Sequence, residues 1–76
     1  MPVDMVTYIL QNLVSEPDRL SVHAERSDRS LVIEVTCAEG DAGRIIGRGG
    51  RVINSLRTLA RAAADGRQRV EVQLLE

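Results

Sequence analysis

The stretch Gly43-Arg44-Ile45-Ile46-Gly47-Arg48-Gly49-Gly50-Arg51-Val52-Ile53 decides how the chain is read. Two isoleucines lead into a Gly-x-x-Gly turn, Gly47 to Gly50, whose middle residues are Arg48 and Gly49. Apolar spacing of the helical kind resumes with Val52, Ile53, Leu56, Leu59 and Ala60. The pattern predicts helix, exposed glycine turn, helix. Three glycines in four residues keep side chains away from the backbone and allow positive φ. The turn also opens onto the start of a helix, where amides without intrahelical partners and the positive end of the macrodipole favour an anion. A phosphodiester backbone is such an anion, and Arg44, Arg48 and Arg51 surround the turn.

The flanking sequence gives the rest of the order. Pro2 and Asp4 suit a helix start, and Met5, Val6, Ile9, Leu10, Leu13 and Val14 recur at helical spacing until Glu16-Pro17-Asp18. Tyr8, the only aromatic residue, lies off the centre of that stripe and reads as a partly buried helix residue. Leu20, Val22 and Ala24 alternate with polar residues, and so do Leu31, Ile33, Val35 and Cys37; polar Arg26-Ser27-Asp28-Arg29-Ser30 between them predicts an antiparallel hairpin. Asp41 is placed to cap a short helix through Ile46. A second helix is expected from about Gly50 to Ala64, stopped by Asp65-Gly66, and Val70, Val72 and Leu74 alternate as a final strand. Helix, strand, strand, helix, helix, strand predicts an α+β fold, a three-stranded mixed sheet with helices packed on one face.

Ile45-Ile46-Gly47-Arg48-Gly49-Gly50-Arg51-Val52-Ile53 resembles the signature of the KH domain, and the element order resembles the type II, bacterial, arrangement. The similarity spans nearly the whole chain, 1–76 as one domain, and is greatest to the small stand-alone KH proteins of the KhpA kind. KH modules clamp the backbone of about four single-stranded nucleotides with this loop. The resemblance therefore implies single-stranded RNA as partner, with Arg44, Ile46, Gly47, Arg48, Gly49, Gly50, Arg51, Val52, Ile53 and Arg57 as RNA-binding residues. It further implies self-association or pairing with a larger KH-containing, KhpB-like protein, an RNA-chaperone role, and a bearing on cell-wall synthesis and cell shape.

Gly47, Gly49 and Gly50 leave amides open to phosphates, and Arg48 projects from the turn. Ile45 or Ile46, with Val52, Ile53 and Leu56, supplies an apolar floor for bases, although some of these must face the core. In related KH domains sheet residues form the far wall, and the sequence does not assign them. With no Trp or Phe, strong base stacking is lacking, so weak and loosely selective binding is expected. Arg57 and Arg61 stand one turn apart and also fit a solvated helix face. The alternative reading is a protein-interaction module with a KH fold and no essential RNA contact.

Net charge is −1, but charge is segregated. From 43 to 69 there are seven arginines and one acid, net +6; the remainder has three arginines and ten acids, net −7. A local positive face, not the total, steers phosphate. All basic residues are arginine, even at peripheral positions, which reads as compositional bias. Catalysis finds no support: there is no nucleophile–histidine–acid set and no metal-ligand cluster, and Arg51-Val52 stands where a P-loop has Lys-Ser/Thr. No cofactor is expected. His23 reads as an exposed strand residue. The single Cys37 excludes an internal disulfide and reads as a buried strand residue. With neither a signal-peptide pattern nor an apolar run of membrane length, a cytoplasmic chain with no membrane partner is expected.

Overall fold

The computed structural model describes residues 2–64, 66 and 68–75. Helix α1 spans Pro2–Leu13, strand β1 Ser21–Arg26, β2 Ser30–Thr36, helix α2 Ala42–Ile46, α3 Arg51–Ala63 and β3 Arg69–Leu74. Short 3-10 turns at Pro17–Arg19, Glu39–Asp41 and Arg48–Gly50 join them. The expected order holds. The first helix stops at Leu13, before the Glu16-Pro17-Asp18 breaker, and Pro17 opens a 3-10 turn instead. Of the expected Asp65-Gly66 stop, Asp65 lies outside the described residues; the last turn of α3 closes with the Ala64 amide on the Arg61 carbonyl.

The sheet order is β1-β2-β3. β1 and β2 pair antiparallel, and β2 and β3 parallel, because the return to the sheet passes through α2 and α3. The registers align Ala24, Ile33 and Val72 in one row across the three strands. Period-two alternation then puts Leu31, Ile33 and Val35 on the helix side, where they are buried, and leaves Val32, Glu34 and Thr36 half-buried on the other face. Val6 and Leu10 of α1, Ile45 of α2, Leu56 and Ala60 of α3, and Val70 and Val72 of β3 complete one core. Each large aliphatic chain buried there contributes roughly 1.5–3 kcal/mol.

Three side chains sit differently from expectation. Tyr8 is 69 % exposed, because it points away from the Val6–Leu10 stripe. Cys37, one residue past β2, is half-buried, since the strand has ended before it reaches the core face. Asp41 occupies the position before α2 but makes no side-chain cap. It lies at αR backbone angles, φ −98 and ψ −10, and its carboxylate turns back across the molecule. There it accepts from Ser15 N–H (2.9 Å), Ser15 Oγ (2.8 Å) and Glu16 N–H (3.1 Å), with Arg44 Nε 3.5 Å away. Asp41 is fully buried, so these donors replace the water it has lost. The carboxylate thereby ties the end of α1 to the start of the glycine-turn segment.

The Ser15 amide, more than any other contact, holds the Asp41 carboxyl below its ordinary range, against the opposing effect of burial. A folded-state pKa lower than the unfolded one gives stability that is complete above the ordinary carboxylate range and is lost as pH falls through it towards the folded value. Melting curves from pH 7 to pH 3 should show this decline. Asp41→Asn should melt lower at pH 7 and lose less on acidification; an unchanged acid slope in that variant would remove Asp41 from the account.

Candidate nucleic-acid interface

The turn between α2 and α3 depends on Gly47. Its backbone lies at φ 76, ψ 170, a region essentially reserved for glycine. A Cβ there would stand 2.5 Å from Val52 Cγ2 and 2.8 Å from the Val52 amide nitrogen. Glycine thus lets α3 begin directly against the end of α2. Gly49 (φ 64, ψ 20) and Gly50 (φ 80, ψ 13) follow in the left-handed region, and nothing lies within 4 Å of a Cβ on Gly49. The tip formed by Arg48 and Gly49 is exposed.

Not every expected amide is open. The Gly47 N–H donates to Gly43 O at 2.9 Å and the Gly50 N–H to Gly47 O at 3.1 Å. The Arg51 N–H donates to Arg48 O. The amides of Arg48 and Gly49 head the 3-10 turn, where no intrahelical acceptor precedes them. Arg48 and Arg51 are exposed beside them, and Arg44 is exposed while keeping its contact to Asp41.

The apolar candidates divide. Ile46 is 41 % exposed and Val52 half-buried, so these two face the turn's surroundings. Ile45 and Leu56 are core residues, and Ile53, expected among the RNA-binding set, is also buried. Ile53, Leu56 and Ala60 recur at three- and four-residue steps and form the inward stripe of α3, which rules them out as a surface floor.

Strand β3 runs alongside α3. An open groove of about 910 Å3 runs between α3 and this strand. Its helix side is Asn54, Arg57 and Arg61, and its strand side includes Val70, Val72 and Gln73. Ligand sites of roughly 300–1,000 Å3 are usual for small organic groups, so a base and its sugar fit. Asn54 connects groove and turn: its Nδ2 is 3.3 Å from where a Cβ on Gly50 would be.

Arg57 is half-buried and Arg61 exposed, and both reach across to strand β3. Arg57 donates from Nε (3.1 Å) and Nη2 (3.0 Å) to the Val72 carbonyl and from Nη1 to Asn54 Oδ1 (2.9 Å). Arg61 Nε donates to the Val70 carbonyl at 3.3 Å. Four residues of helix advance about 6 Å and two residues of strand about 6.6 Å, so the two arginines match two successive outward carbonyls. That coincidence of steps, one turn of helix against one strand repeat, was the available sequence signal.

A family model described as the KhpA/KhpB KH domain matches residues 3–74. The chain belongs to the KhpA/KhpB KH-domain family. Similar curated proteins include one from Leifsonia xyli subsp. xyli, 44 % identical over 71 residues and covering 93 % of this chain and 92 % of that protein. Another, from Chlamydia trachomatis, is 37 % identical over 71 residues, covering 93 % and 90 %. Both bear the name RNA-binding protein KhpA. Among solved structures, Aquifex aeolicus Era bound to GDP and AlF4− aligns with TM-score 0.66 and 21 % identity over 97 % of this chain. The chain spans 30 % of that Era chain, and the likeness is one of fold. Membership of a KH family agrees with the sequence reading that the chain is not an enzyme. No described helix is long and apolar enough to cross a membrane.

Gly47→Ala should cost about 2–3 kcal/mol in urea unfolding, since it meets both the backbone restriction and Val52. Gly49→Ala, with open space around it, should cost about 1 kcal/mol. Equal losses would show that the Val52 contact is not what demands glycine.

Proposed function

We propose that the chain binds single-stranded RNA, its phosphates held at the Arg48–Gly49 tip and its bases laid along the α3–β3 groove. The observation that carries this reading is the continuity of the exposed glycine tip with that groove through Asn54. Arg44, Arg48 and Arg51 supply charge to the backbone, and Ile46 and Val52 the apolar surface beside it. The relatives' name, RNA-binding protein KhpA, supports it. Few phosphates and no large aromatic surface make the site weak. A weak, short site gains from linkage to others by effective concentration. We infer, on that ground and from the family resemblance, that it works as a pair, with a second copy or a larger KH-containing partner, in the cytoplasm. An RNA-chaperone role affecting cell-wall synthesis and cell shape belongs to the same reading.

Arg48→Asp combined with Gly49→Asp places two acids on the tip. Asp tolerates the left-handed conformation of Gly49 better than most residues, so the fold should persist by circular dichroism. Retention of cellular RNA after crosslinking should fall at least tenfold. Full retention would leave protein docking without RNA contact as the better reading. With about three phosphate contacts, the log–log salt dependence of binding should have a slope of about −2, measured by titration at several salt concentrations. A flat line would remove the electrostatic part.

A further inference from the structure

The α3–β3 groove carries a specific hydrogen-bonding polarity. The amides of Arg69 and Leu75 bond back to Arg29 and Val35, beside and on β2. Odd-numbered residues of β3 therefore turn their backbone groups to β2, and Val70 and Val72 turn theirs outward to the groove. An outward strand edge offers carbonyl acceptors and amide donors alternately. Two of these acceptors are engaged. The Val72 carbonyl takes two N–H groups from Arg57, which engages both its lone pairs, and the Val70 carbonyl takes one from Arg61. The Val72 carbonyl is thereby closed to a ligand, and beside it the arginine side chains offer donors.

Arg57 is the sharpest of them. Three of its five N–H groups are engaged, with Val72 and Asn54, and these fix the plane of the guanidinium. One N–H on Nη1 and one on Nη2 remain. The group is half-buried and lines the groove. A planar guanidinium held in place is suited to two parallel hydrogen bonds.

We propose that Arg57 is a base-reading residue that selects guanine over adenine in the groove. Guanine offers two adjacent acceptors, O6 and N7; adenine sets its N6 amino group beside N7, facing donors with a donor. The Val72 carbonyl, both lone pairs taken by Arg57, is closed to adenine's amino group. This rests on the groove being an RNA site, as proposed above, and adds to it a base and the side chain that reads it.

The test uses fluorescence anisotropy with labelled uridine hexanucleotides carrying one central guanine, adenine or 7-deazaguanine, which lacks N7. The unaltered chain should bind the guanine oligonucleotide about tenfold tighter than the adenine one, as expected for a bidentate pair. The 7-deazaguanine oligonucleotide should fall to the adenine level. Arg57→Lys keeps the charge and loses the fork; it should bring guanine and adenine within about twofold. Should Arg57→Lys loosen β3, the 7-deazaguanine comparison still reads the contact on the native chain. Equal binding of guanine and adenine, or of guanine and 7-deazaguanine, by the native chain overturns the assignment, as does a guanine preference surviving in folded Arg57→Lys. Equal binding that is still abolished by Arg48→Asp overturns guanine reading alone; no binding of any oligonucleotide overturns the RNA site with it.

Discussion

The absence of a side chain at Gly47 is the constraint on which the arrangement rests. Val52 occupies the space that a Cβ would need, so the end of α2 and the start of α3 touch backbone to side chain. That contact lets two short helices meet at a sharp corner without a long loop. The corner then thrusts Arg48 and Gly49 outward, while Ile45 and Ile53, on either side, turn inward to the sheet. Exposure of the tip and burial of its flanks are two results of one close approach.

Much of the fold was legible because β2 is nearly pure alternation and α3 carries a clean three-four stripe. Both patterns are local, and each specifies one buried face. The glycine turn was legible for the same reason: nothing but backbone geometry demands three glycines in four residues. Side chains whose partners lie far along the chain were not legible. Asp41 has every local mark of a helix cap, yet its partners are Ser15 and Glu16, 26 and 25 residues away. Arg57 and Arg61 look like surface charges until β3 returns beside α3 and offers its carbonyls. Ile53 could not be told from Ile46 by its apolar character; only the direction of the helix axis sends one to the core and the other to the surface.

Charge is arranged in keeping with a backbone-binding tip. The outer sheet face sets His23 level with Glu34, and Glu25 in the same row as Glu71. His23 is occupied there by Glu25 at 3.2 Å. The arginines 44, 48 and 51 lie instead around the helix corner. A polyanion approaching the molecule is repelled by the sheet face and drawn to the corner, so a near-neutral chain still presents an oriented field.

The arginines held on the Val70 and Val72 carbonyls also bear on how such molecules can join. Extending a sheet requires a strand with vacant acceptors at its border, and the Val70 and Val72 oxygens already hold the chain's own guanidinium groups. An incoming strand would have to displace Arg57 and Arg61 before it could register there. Among the described residues, no arginine is held on the border of β1 in this way. Growth of the sheet by a fourth strand, from whatever source, is therefore directed to the side remote from the groove, leaving the groove open while the sheet is extended.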